Sequence, residues 1–148
     1  MDRNGGETQL LATENAAVEL YHNNVKKIET TTAGVTVAGT VTDTKGNLRD
    51  ISAYAKSSAH TLVAVDAGAV VYTSSGGVTV PNSVFSIGKV VTIINNSGSD
   101  QTITQGSGVT MHNAADAATG NRTLAARGMA TIWFASASVC YISGAGLS

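Results

Sequence analysis

Residues 17–42, AVELYHNNVKKIETTTAGVTVAGTVT, alternate apolar and polar positions as strands do, and break at turn residues. Val18 and Leu20 fall on one side, Glu19 and Tyr21 on the other. Asn tolerates positive φ, so HNN at 22–24 predicts a turn. In the returning run, VKKIETT, Val25 and Ile28 lie three apart instead of two, which predicts a bulge or strand end between them. Gly34 punctuates the chain, VTVAGTVT presents Val35, Val37 and Val41, and DTKGN at 43–47 predicts another turn. LRDISAYAKSSAH, 48–60, has a weak helical stripe, with Leu48, Ile51 and Ala55 at i, i+3 and i+7; it predicts a linker or short helix. Residues 1–15 have no strong strand pattern, although QLLATE suits pairing or a single turn.

From His60 onward, short apolar runs come at close spacing: TLVAV, AVVYT, GVTVP, KVVTIIN, QTITQ, GVTMH, MATIWFA and VCYIS. TSSGG, PNS, NNSGSD, QGSG and SGAG divide them. Eight short strands with such turns predict an antiparallel β-sandwich or jelly roll. ADAATGNRTLAARG, 115–128, reads as a loop with one helical turn ended by Gly128. GVTV at 34–37 and 77–80 and GVTM at 108–111 are 43 and 31 residues apart, too irregular for a regular solenoid; they read as a turn-to-strand phrase. The expected plan is all-β: an extended N-terminal β fibre-like segment over 1–47, a linker or short helix over 48–59, and a C-terminal β-sandwich head over 60–148.

Composition narrows the function. Charged residues make up 13% of the chain and the net charge is −1, so no basic stripe awaits nucleic acid or an anionic membrane. No apolar run approaches the ~18 residues of a membrane span, and no membrane insertion is expected. The polar start MDRNGGETQ lacks the regions of a secretory signal, so synthesis in a cytoplasm is expected. Cys140, the single cysteine, lies in SVCYIS and reads as a buried small hydrophobe.

The segment 16–42 offers Val18, Leu20, Val25, Ile28, Val35, Val37 and Val41, and too little apolar bulk for a core of its own. An isolated hairpin is marginal in water. The segment must pack either on the C-terminal domain or on copies of itself about an axis. Its slimness favours three copies, with Glu19, Lys26, Lys27 and Glu29 outside and the seven apolar residues at the trimer interface.

ENAAVELYHNNVKKIETTTAGVTVAGTVT resembles a segment of bacteriophage tail-fibre and virion appendage proteins, particularly of marine phages, where it often recurs in tandem. GGVTVPNSVFSIGKVVTIINNSGSDQTITQGSGVTM and TGNRTLAARGMATIWFASASVCYISGAGLS resemble a terminal domain of phage structural proteins. The resemblance implies a trimeric, non-enzymatic virion component, a short fibre or spike with a shaft-like part and a head, partnered by itself, by other virion proteins, and by a host surface glycan or protein. A capsid decoration or cement protein is the alternative, and a polysaccharide-degrading tailspike the reading least expected. Fibres of this kind carry a long N-terminal attachment region. This chain begins almost at the motif, which suits a small separate subunit, a decoration protein or a fragment of a longer fibre.

Candidate chemistry is sparse. His22, His60 and His112 have no metal-ligand spacing, and no metal or cofactor is expected; a trimer would at most gather three His112 on its axis. There is no GxSxG elbow and no phosphate-binding glycine loop. Asp66, Asp100 and Asp116 sit in turn-like text, where Asp supports the backbone. Arg122 and Arg127 suit either a clamp for an acidic group or, preferably, a tie from their loop to Asp116 or to backbone carbonyls at an interface. Trp133 and Phe134 are adjacent, so one strand sends one into the core and the other to a neighbour or the surface, where an exposed aromatic also suits a sugar.

Overall fold

Strands form throughout, as the alternation predicts, in a computed structural model that describes residues 6–44, 46–48 and 50–148. The polar start at 1–5, Lys45 of the expected 43–47 turn and Arg49 of the expected linker lie outside the described residues. The chain divides into two compact units, Met1–Asp50 and Ile51–Ser148.

In the first unit, β1 (Leu10–Ala12), β2 (Val18–His22), β3 (Val25–Thr31) and β4 (Gly34–Val37) form an antiparallel meander in sequence order. Asn23 and Asn24 take φ of 52° and 59°, the left-handed pair that a two-residue hairpin turn requires. The register shifts after Leu20: Leu20 faces Ile28 and Tyr21 faces Lys26, leaving Lys27 as the extra residue. This is the bulge that the Val25–Ile28 spacing predicts. β5 (Thr42–Asp43) and β6 (Gly46–Asn47) make a separate ribbon.

The second unit is one nine-stranded sheet that nearly closes on itself. Its strands are β7 (Ala53–Lys56), β8 (His60–Thr61), β9 (Val70–Thr73), β10 (Val78–Val80), β11 (Val90–Asn95), β12 (Gln101–Gln105), β13 (Thr110–Asn113), β14 (Arg122–Phe134) and β15 (Val139–Leu147). A short 3-10 turn, Ala64–Asp66, follows β8. β7, β9 and β11 stack in parallel, and so do β8, β10 and β12. Each coil of chain thus adds one strand to each of two ladders. Inward residues align from coil to coil: Tyr54 with Val71 and Ile93, His60 with Val78 and Ile103. Phe85 and Phe134 stack at 4.4 Å within the same core.

Three expectations are corrected here. The C-terminal unit is one mixed, nearly closed sheet instead of an antiparallel sandwich or jelly roll, because alternation fixes which face a residue takes and not the direction or the sheet of its neighbour. Among its described residues the stretch 48–59 holds strand β7 and no helix; Leu48 and Ile51, the stripe that suggested one, are exposed, while Tyr54 and Lys56 turn inward. The stretch 115–128 holds no helical turn ended by Gly128, since β14 begins at Arg122; its one helix-like bond, from the Ala117 N–H to the Asn113 carbonyl at 2.8 Å, lies at its start. A coiled stack is present despite the irregular GVTV spacing, because coils are free to differ in length: 17 then 22 residues on one ladder, 18 then 25 on the other. GVTV and GVTM do lead from a turn into a strand, with Gly34, Gly77 and Gly108 all at positive φ.

β14 joins the two ladders. Arg122–Leu124 pair antiparallel with β12, and Met129–Trp133 pair antiparallel with β11. β15 runs along the opposite side of both halves, with a register break between Leu124 and Met129, and β13 adds in parallel outside it. In the break Arg127 is left-handed at φ 64°. A Cβ at Gly128 would lie 2.9 Å from the Ala125 carbonyl and 3.0 Å from that of Ala145, so only glycine fits.

The turn between β11 and β12 satisfies the polar groups of this break. Asn95, fully buried, donates its amide hydrogens to the carbonyls of Leu124 (3.0 Å), Ala125 (2.9 Å) and Ser99 (2.9 Å). Its Oδ1 accepts from the Ser97 N–H and hydroxyl. The Ala126 N–H donates to Asp100 Oδ1 at 3.1 Å, and Arg127 Nη1 donates to the carbonyl and side-chain oxygens of Asn96. Asn95→Leu keeps the branched shape of the side chain and removes both Nδ2 hydrogens, leaving buried carbonyls unpaired at a cost of about 2–4 kcal/mol. A fall in the thermal midpoint of about 8 °C or more is expected. A midpoint within about 2 °C of the parent would contradict the assigned role.

Candidate functional site

The four-stranded sheet has two unlike faces. On one, Leu10, Leu20, Ile28 and Val37 are successive cross-strand partners, a continuous apolar row over all four strands. Beside it, the Val18 N–H donates to Thr30 Oγ1 at 2.9 Å, and Thr30 faces Val35. Val25 lies opposite His22 at the end of the same face. Of the seven interface candidates, the sheet brings together Val18, Leu20, Val25, Ile28, Val35 and Val37; Val41 lies beyond it, half-buried.

The other face carries Glu19, Tyr21, Lys26 and Glu29, all half-buried. Glu19 and Glu29 are direct cross-strand neighbours, a repulsive placement by itself. Lys26 resolves it by pairing with both carboxylates, at 3.0 Å from Glu19. The Tyr21 hydroxyl donates to Glu19 at 2.5 Å. That bond, and then Lys26, hold the Glu19 carboxyl below the usual range. The same bond pushes the Tyr21 hydroxyl up, and Glu29 and then Glu19 raise the Lys26 ammonium.

The result is a sheet whose polar face is the more closed one. No described residue of the first unit is buried, and Val35 is 64% exposed, Leu10 and Val25 54%. An apolar sheet face of this extent is stable only when covered.

The second unit places the remaining candidates apart. Arg127 ties the β14 break to Asn96 of its own chain, in the manner expected of a structural arginine; Asp116 instead accepts the Ala118 N–H at 2.9 Å. Arg122 is half-buried, with Nε and Nη2 lacking a hydrogen-bond partner. Phe134 is in the core, while Trp133 is 42% exposed on the outer face. There Tyr141 stands beside it at 6.1 Å, and His112 stacks on Tyr141 at 5.2 Å. Cys140 is buried, which pushes its thiol up to about 11.

One pairing was not foreseen. Asp66 is fully buried in the 3-10 turn, where its Oδ2 accepts the Val63 N–H at 2.8 Å and meets His60 Nε2 at 2.9 Å. Its Oδ1 has no partner. The contact clamps the turn onto β8. Among the described residues, no group of three or more His, Cys, Asp or Glu is arranged to hold a metal ion. No family model, curated protein or solved structure matches this chain.

The polar network gives a pH prediction. A depressed Glu19 carboxyl stabilises the fold above the ordinary glutamate range, and that contribution is lost as pH falls through its lowered value. Tyr21→Phe removes the leading cause, so Glu19 should titrate at higher pH, nearer the ordinary range. Carboxyl carbon shifts followed by NMR measure this, and an unchanged Glu19 titration would rule the hydroxyl out as the cause.

Proposed function

We propose that this chain is a structural, non-enzymatic component of a bacteriophage virion: a short homotrimeric fibre or spike. In this reading Met1–Asp50 supplies the shaft-like part and Ile51–Ser148 the head, turned toward the host surface. The observation that carries the reading is the open apolar row Leu10–Leu20–Ile28–Val37 on a sheet with no buried residue of its own. A single copy of this sheet leaves that surface in water. Three copies around an axis would bury it and leave the Glu19–Lys26–Glu29 network facing solvent. The resemblance of residues 14–42 to phage fibre segments supports the same arrangement.

Light scattering at micromolar concentration should return three chain masses of 15.0 kDa each. Leu20→Asp should lower that mass, because each copy would bring a charge to a shared apolar surface, at several kcal/mol per desolvated carboxylate. Thr32→Asp, in the exposed β3–β4 turn, should leave it unchanged. A parent protein of one chain mass at all concentrations would refute the assembly. Immunogold labelling of virions would then place the subunit on tail or capsid, and failure to label purified particles would refute the virion assignment.

A further inference from the structure

Three aromatic rings stand in register on the outer face of the second unit. His112 of β13 faces Tyr141 of β15, and Tyr141 faces Trp133 of β14. The His112 and Tyr141 rings stack at 5.2 Å and 24°, and Trp133 follows Tyr141 at 6.1 Å and 39°. Trp133 is 42% exposed and Tyr141 43%. Strand alternation sets this order: Cys140, Ile142, Ile132 and Phe134 fill the core and send their neighbours outward. Each ring restricts the next, so the row is organised before anything binds.

Two positions along the same strands runs a row of hydroxyls. Ser143 faces Thr131, and Thr131 faces Thr92. The two threonine hydroxyls lie 3.2 Å apart. At ~3.3 Å per residue, the hydroxyls follow the rings at ~6.6 Å. Each hydroxyl both donates and accepts. Neither row contains Asp, Glu, Lys or Arg. Arg127, the exposed cation of β14, lies in the register break with its guanidinium on Asn96. Lys89 lies one position before Val90, the partner of Trp133 on β11.

We infer that the His112–Tyr141–Trp133 row, with the hydroxyls of Ser143, Thr131 and Thr92 beside it, is a binding strip for a neutral glycan chain. The inference rests on the second unit alone and goes beyond the assembly proposed above. Hexose rings present a face of C–H groups and an edge of hydroxyls. The C–H face, slightly positive, settles on the negative face of an aromatic ring. The hydroxyl edge then reaches the serine and threonine row. Shape selects against a protein as the occupant. The sheet nearly closes, so its outer face is convex, and a flat partner touches it along a narrow band. Four strands at ~4.8 Å and a width of three residues at ~3.3 Å cover ~190 Å². Each side of a specific protein interface gives ~800 Å². A glycan chain is one ring wide and needs only the band. Charge selects against single-stranded nucleic acid, which also stacks on aromatic rings. Its phosphates require a track of cations, and neither row has one. An acidic glycan would lack a charged partner in the rows for the same reason.

Trp133 is the only tryptophan, so its fluorescence reports on this strip alone. The full-length protein is titrated to millimolar concentration with neutral hexasaccharides of α- and β-linked glucose, galactose, mannose and N-acetylglucosamine. Trp133 emission and the heat of binding are followed together. At least one sugar should bind saturably and shift the emission. Tyr141→Ala should weaken that binding about tenfold, in line with the loss of one stacked ring. Thr131→Val should weaken it several-fold, and Thr102→Val, on the other ladder, should leave it unchanged. All three positions are exposed, so none of the changes should impair folding; circular dichroism checks this. No saturable binding by any of these sugars overturns the inference. Binding that Tyr141→Ala leaves unchanged puts the sugar elsewhere and overturns it too. A stronger response of Trp133 to an acidic glycan, an oligonucleotide or a proline-rich peptide does the same. Light scattering on the same samples reads the assembly separately. A single chain mass with binding intact overturns the trimer and leaves this inference standing, and a trimer without binding does the reverse.

Discussion

The second unit depends on one buried amide. A single strand, β14, closes two parallel ladders that face different ways, and it does so by breaking its own ladder midway. A broken strand inside a protein exposes carbonyls and N–H groups that must find partners. Asn95 supplies them, together with Asp100 and Asn96, from the turn that separates the two strands β14 must reach. Where β11 passes to β12, β14 bends by the same step. Arg127 holds the left-handed conformation at this bend, and its guanidinium returns to Asn96 to offset the strain.

Much of the architecture was legible from period and punctuation. The eight apolar runs after His60 correspond to β8 through β15, although the first yields only a two-residue strand and a 3-10 turn. The bulge in β3 followed from a spacing of three, and the Trp133–Phe134 division from strand alternation. Strand direction was not legible. Parallel and antiparallel neighbours impose the same alternation on a half-buried strand, and only the length of the connection separates them. The roles of Asn95 and Asp66 were hidden for a related reason. In sequence, NNSGSD and VAVDAG look like ordinary turns; burial, which turns a polar residue into a fastening, comes from strands far along the chain.

The two units solve opposite problems. The second unit has a complete interior of aliphatic and aromatic residues and leaves surplus apolar surface outside. The four-stranded sheet has no interior and turns its better-satisfied side toward its charges. In both, the surfaces left open are apolar, continuous and aligned with the strand register.

The placement of β14 also sets an order of events at the ribosome. Each ladder grows coil by coil as the chain emerges, but neither has its closing strand until residues 122–134 have been made, and β15 follows later still. The meander needs only neighbouring strands and can pair long before that. A nascent chain therefore has the sheet of its first unit paired, apolar row included, while the second unit still lacks the strand that joins its ladders.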